Sequence, residues 1–305
     1  LLLVCGLVLL GLQNISAQDE ESWAPRQLGI GVGVGTTGIV IDASTTMNRW
    51  LGFRAGVDIF PKITVNTDLD LGLEGKNADF ATLTQKAKDF NALVPASQRI
   101  DLSNFPDGLP NKMDVQGKWK NTTFHFLIDV YPFKNSSFHA TTGFYIGGSE
   151  IVTVTNKEAG FLKPINQWNE AVNNIGSYPA AAQAVLAGQE MIGAKLGDYF
   201  VTPNPAENGD VEATIEVNAF RPYLGIGFGR AVPKTKRIGC QFDMGVQFWG
   251  TPKVYAPTYD KATGKYSKTE LKEENAGGDA GGVIKTISKI AVYPTLNFRL
   301  VGRIL

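Results

Sequence analysis

The chain has 305 residues, with 29 basic and 29 acidic side chains, so its formal net charge is zero. That balance argues against a nucleic-acid partner, which would call for a basic face. Glycine is abundant at 34 residues and charged residues make up only 19%. After Ala17 no window approaches ~18 apolar residues, which excludes spanning helices and leaves a β-barrel as the membrane option.

Leu1 to Leu12 is an uncharged apolar run, followed by Ile15-Ser16-Ala17 and an acidic stretch. Residues 1–17 read as the apolar core and cleavage site of a secretory signal, with Gln18 first in the mature chain. The run is short of the ~20 residues of a membrane anchor. Cys5 sits within it after Val4, which is a poor lipidation context. The mature chain then keeps one cysteine, Cys240, and no intramolecular disulfide. Cys240 falls on an apolar strand phase and reads as a small hydrophobe.

Residues 18–27 are a polar lead-in to a single domain over 28–305. Leu28 to Gly35 alternates apolar residues with glycine, a small inward face suited to tight curvature. The strict spacing of two, with no helix after it, excludes a phosphate loop. Ile39 to Thr46 is a second strand. Trp50 to Ile63 is a third, with Leu51, Phe53, Ala55 and Val57 opposite Gly52, Arg54, Gly56 and Asp58. Lys118 to Phe133 is the fourth, with Phe124, Phe126, Ile128 and Val130 opposite His125, Leu127, Asp129 and Tyr131. Phe138 to Thr155, Val211 to Ala231 and Ile238 to Tyr255 follow as the fifth to seventh. The eighth lies in Ile287 to Leu305, where Ile290, Val292, Pro294, Leu296, Phe298, Leu300, Gly302 and Ile304 alternate with mostly polar residues. Such alternation gives a strand one apolar face. Sustained for roughly sixteen residues, it would span about 50 Å, longer than a soluble ligand-binding barrel needs.

Polar insertions fall at about 65–117, 156–210 and 256–283. The first has helical spacing over Asn77 to Leu93, and the second an alanine-rich helical segment over Tyr178 to Leu196, opened by Pro179. Connections alternate short and long, as in transmembrane barrels with tight periplasmic turns and long outer loops. The expected fold is therefore all-β: an eight-stranded antiparallel transmembrane β-barrel with short periplasmic turns and long, partly helical extracellular loops. Trp50, Tyr131, Trp249, Tyr255 and Tyr293 are expected as an interfacial girdle.

The stretches LGIGVGVGTTG, WLGFRAGVDIFP, FLIDVYPFKNSSFHATTGFYIGG and YPTLNFRLVGRIL resemble the small outer-membrane β-barrel proteins of Gram-negative bacteria, the porin-family barrels. The resemblance implies an outer-membrane location, lipid as the surrounding partner, and the barrel assembly machinery as a folding partner. One departure is the final residue: such barrels usually end on an aromatic residue, and Leu305 stands here.

Lipid-facing residues are expected at Phe124, Phe126, Phe220, Phe228, Phe242, Leu296 and Phe298. The opposite phase gathers Asp42, Arg54, Asp58, His125, Asp129, Arg221, Asp243, Arg299 and Arg303, with Gln241, Gln247 and Tyr293. Four acids facing four arginines, in a lumen just wide enough for side chains to fill, imply a paired network. His125 and Asp129 are too far apart along the strand for a dyad, and His139 is expected beside a turn. No metal cluster, nucleophile elbow or phosphate loop appears. The reading is a non-catalytic, cofactor-free barrel, structural or binding an extracellular ligand or protein through its loops. The alternative is a narrow channel for small or hydrophobic solutes.

Overall fold

The structure, a computed structural model, describes residues 27–70, 80–103, 112–133, 135–203, 209–210, 212–260, 263–276 and 278–305. The expected signal, residues 1–17, lies outside them. In chain order the strands are β1 (Gln27–Gly35), β2 (Gly38–Thr46), β3 (Leu51–Ile59), β4 (Ile63–Asp70), β5 (Lys112–Trp119), β6 (Thr122–Val130), β7 (Phe138–Gly147) and β8 (Glu150–Asn156). They continue as β9 (Ala194–Leu196), β10 (Tyr199–Val201), β11 (Glu212–Glu216), β12 (Phe220–Phe228), β13 (Ile238–Phe248), β14 (Lys253–Asp260), β15 (Lys265–Leu271) and β16 (Val292–Arg303). The helices are α1 (Phe80–Asn91), α2 (Lys163–Asn173), α3 (Ala180–Leu186), α4 (Glu273–Ala276) and α5 (Gly278–Ser288).

Eight strands close a barrel in the order β1-β16-β13-β12-β7-β6-β3-β2. Every neighbouring pair is antiparallel. The barrel strands are 9 to 12 residues long, which suits tilted transmembrane strands of about 9–11 residues. The closing strand is thus shorter than expected. Ile287 and Ser288 finish α5, and the Ile290 carbonyl accepts from Trp249 Nε1 at 2.6 Å rather than from a strand neighbour. Strand length alone therefore does not separate a membrane barrel from a soluble one, and side-chain direction must.

The glycine phase of β1 has a steric reason. A Cβ on Gly31 would lie 2.1 Å from Arg299 Nε on the adjoining β16. Cβ atoms on Gly225 and Gly245 would lie 2.4 and 2.5 Å from the Tyr223 hydroxyl, and one on Gly227 2.5 Å from His139 Nε2. Arg299, Tyr223 and His139 thus lie over glycines, so a narrow lumen can hold a few large polar groups.

The insertions, expected as long and partly helical, hold helices and also a second sheet. Its order is β4-β5-β8-β11-β14-β10-β9, with β15 paired to β14. The pairs β4·β5, β5·β8, β8·β11 and β11·β14 repeat the neighbours β3·β6, β6·β7, β7·β12 and β12·β13 below them. The sheet is the barrel wall carried onward past a break in each strand. The breaks fall at residues 60–62, 120–121, 148–149, 217–219 and 249–252. At the last, Gly250 takes φ 76°, a left-handed conformation that favours glycine. β1 and β2 contribute nothing above: residues 36–37 turn between them at once.

Helices α1, α2 and α3 pack together with Val115 of β5 around Leu83, Phe90, Ile165, Trp168 and Leu186. α1 matches the helical spacing read from Asn77 to Leu93, within which residues 77–79 are not described. The alanine-rich segment is helical only over α3; Gly188, at φ 72°, follows its end. α2 was not expected. It opens with Pro164, a residue suited to a first turn, and buries Ile165, Trp168 and Ala171.

Candidate functional site

The barrel's outer and inner phases are opposite in chemistry. Phe124, Phe126, Phe220, Phe228, Phe242, Leu296 and Phe298 are all exposed on its outside, with Ile30, Val32, Val34, Leu224, Met244 and Leu300. Phe228 shows 62% of its surface, whereas Asp129 and Arg221 show none. Asp42, Arg54, Asp58, His125, Asp243 and Arg299 are buried too. In water this arrangement would expose the greasy side chains and bury the charges, each at a cost. In hydrocarbon the first cost vanishes, turning the charges outward would be worse than pairing them inside, and a closed barrel leaves no strand edge unpaired. The chain is a closed transmembrane β-barrel. No described helix is long and apolar enough to cross a membrane.

Inside, Arg54 is the centre of a network that reaches Asp129, Asp243, Gln241, Arg299 and Asp42. Its Nη2 donates to Asp129 Oδ1 at 2.8 Å and its Nη1 to Asp243 Oδ2 at 2.9 Å. Thr141 Oγ1 donates to Asp129 Oδ1 at 2.8 Å. Gln241 donates to the second Asp129 oxygen at 3.1 Å and accepts from Arg299 Nη1 at 2.9 Å. Arg299 in turn grips Asp42 in a two-pronged pair, one prong being Nε to Oδ2 at 2.6 Å. Such forked pairs are the strongest of the charged hydrogen bonds. A carboxylate left without its partner here would cost about 3–5 kcal/mol.

Both histidines belong to this interior. His139, expected beside a turn, is the second residue of β7; it is also fully buried, which the sequence reading did not include. Its Nε2 lies 2.9 Å from Asp243 Oδ1 and its Nδ1 3.2 Å from the Ser137 carbonyl. Gln241 Nε2 is also 3.2 Å from His139 Nε2, so the ring is held on both of its nitrogens. His125 is not paired with Asp129 but lies 2.5 Å from Asp58, which also accepts from Thr37 Oγ1 at 2.7 Å. The parity of β7 could have revealed His139, because Phe138, Ala140 and Phe144 hold the outward phase.

Two arginines expected in acid pairs are placed differently. Arg221 bonds the Asn218 carbonyl at 2.8 Å, Asn121 Oδ1 at 2.7 Å and the Gly148 carbonyl at 2.6 Å. It ties together the break points of three wall strands. Arg303 lies at the turn end and donates to the Lys234 carbonyl at 2.6 Å.

The expected girdle is also corrected. Tyr131 and Trp249 are buried, at 1% and 3% exposure, because they occupy the inward phases of their strands. Tyr131 accepts from the Ala231 amide at 2.7 Å. Trp249 stacks on Tyr293 at 4.9 Å. Tyr255 lies in β14 of the second sheet. Trp50 is exposed, beneath the Arg49 guanidinium at 4.7 Å.

Asp129, His139 and Asp243 place ligand atoms within 4.8 Å of one another, as a metal site would. The Arg54 guanidinium lies between the two carboxylates and fills the cation's position. The donor set therefore does not fit a resident metal.

The sequence matches no protein-family profile, and no curated protein is similar to it. Among solved structures, the chain is similar to CarO of Acinetobacter baumannii, at 12% identity and a TM-score of 0.41, over 93% of this chain and 99% of that one. It is also similar to a major outer membrane protein from Thermus thermophilus, at 12% identity and a TM-score of 0.36, over 91% and 98%. The barrel assignment rests on this chain's own side chains and not on these likenesses.

Proposed function

We propose that the protein serves in the outer membrane of a Gram-negative bacterium as a structural or surface-binding barrel whose lumen is closed to solutes. In this reading the turn end faces the periplasm, and the second sheet with its helices faces outward as a platform for an extracellular ligand or protein. Lipid surrounds the barrel, and the barrel assembly machinery inserts it. The observation that carries the reading is the filled lumen. Tyr145, Tyr223, Arg221, Arg299 and Gln241 are among the largest fully buried side chains. Above them Ile151, Val217 and Trp249 form an apolar layer. An eight-stranded barrel has room for side chains or for a path, not both. The same closure supports a non-catalytic role, because both carboxylate–histidine pairs are sealed from solvent.

Planar-bilayer recording separates this from the alternative, a narrow channel for small or hydrophobic solutes. The purified protein is expected to insert without a stable conducting level. Discrete, reproducible openings would overturn the closed-lumen reading.

A further inference from the structure

The turn end of the barrel is built from one sign of charge. Residues 47–50, 131–137, 229–237 and 302–305 contain seven Lys or Arg and no Asp or Glu. Among the described residues, none of those cations forms an ion pair with a side-chain carboxylate; the barrel's acids are taken up inside, by Arg54, Arg299 and the histidines. Three of them, Arg49, Arg230 and Lys234, are held close together. Arg230 donates to the Arg49 carbonyl at 3.4 Å and the Ser136 carbonyl at 3.2 Å, and lies 4.5 Å above the Tyr131 ring. Burial, then the charges of Arg230 and Arg49, hold the Lys234 ammonium below its ordinary range. Like charges gathered without side-chain counter-charges among the described residues raise the free energy of this surface, and a bound anion would relieve it.

A cleft lies among these residues. Its volume is about 420 Å³, and Ser136, Arg230, Lys234 and Lys236 line it together with Ile238 and Cys240 of β13. Ile238 and Cys240 are on the outward phase, and Ile238 is 67% exposed. The cleft therefore has two chemistries in one space. Cations and hydroxyls occupy its turn-side wall, and the wall nearer mid-barrel continues into the lipid-facing belt. A free inorganic anion would use only the first. A molecule with an anionic head joined to an acyl chain would use both.

We propose that this cleft is a binding site for the phosphate headgroup of an anionic phospholipid in the leaflet at the turn end, with the acyl chain running along Ile238 and Cys240. Assigning that leaflet to the periplasmic side rests on the orientation proposed above; the binding site itself does not. Lys234 and Lys236 supply charge to the phosphate. Arg230 is held by the two carbonyls and Tyr131, and serves as a fixed wall.

The test is native mass spectrometry of the full chain released from detergent micelles, titrated with phosphatidylglycerol or phosphatidylcholine. Micelles have no sides, so the outcome is independent of membrane orientation and of whether the lumen conducts. Phosphatidylglycerol is expected to bind preferentially at one high-affinity site. Each lysine near an anionic headgroup contributes roughly fivefold in affinity, so K234Q/K236Q is expected to lose roughly 25-fold. Neither side chain is needed to close the barrel, so the heat-modifiable gel shift is expected to stay unchanged and report folding. Glycerol phosphate should compete only weakly. Equal binding of the two lipids, or full retention by the double variant, would overturn the site. Competition by glycerol phosphate as strong as by the intact lipid would reduce it to a site for free anions and overturn the lipid assignment.

Discussion

The barrel and the sheet above it are one wall with opposite insides. In the barrel, Phe124 and Leu296 are exposed and Arg54, Asp129 and Arg299 are buried. In the upper region, Phe90 and Trp168 are buried at 0% and 1%. The ion pairs there lie outside: Lys268 bridges Glu150 at 3.1 Å and Glu216 at 2.8 Å, and Lys163 meets Asp101 at 3.2 Å. Strand neighbours are the same in both layers, so β-pairing does not set the polarity; the solvent on the far side of the wall does. Hydrocarbon selects apolar side chains outward, and water selects them inward. The strand breaks mark where one rule gives way to the other. The change is not level all round, because Ile63 and Val65, just past the break after β3, are still exposed.

The contrast gives graded tests. The largest effect is expected for R54M. It strands Asp129 and Asp243 in the lumen, and should destabilise the barrel by about 3–5 kcal/mol, read as loss of the heat-modifiable band after refolding. F90A should cost a comparable local amount, about 3–5 kcal/mol, but confined to the helical pack. Limited proteolysis should then cut within residues 80–103 while the barrel's gel shift survives. If F90A abolished the gel shift as well, the two layers would be one cooperative unit and the contrast would fail. K268Q should change stability least, by less than about 1 kcal/mol, with a difference that shrinks further at high salt. A large loss there would mean that the upper ion pairs are as consequential as the lumen's.

Most of the barrel was legible in the sequence because its two solvents are so different. A strand between hydrocarbon and a polar lumen must alternate sharply, as FHFLIDV does, and parity alone places Asp58, His125 and Asp129. Parity was also the better guide where residue type misled: Tyr131 and Trp249 look like interfacial aromatics yet hold inward phases. The upper sheet was not legible, because strands such as β15, KYSKTEL, have water on much of their surface and carry no apolar alternation. Partner identity was hidden for a different reason. Asp58 lies 67 residues from His125, and Arg54 lies 189 from Asp243; such pairs are set by barrel register, which one sequence does not print. Arg221 was assigned to the right face but to the wrong kind of partner.

That last assignment bears on how the two layers stay together. The lumen's fastenings run from side chain to side chain, so each fails when either partner is replaced. Arg221 instead holds two peptide oxygens and one amide oxygen at the junction. Two of its three grips lie in the main chain and survive any substitution at Asn218 or Gly148, so the seam between barrel and upper sheet tolerates sequence drift that the lumen does not.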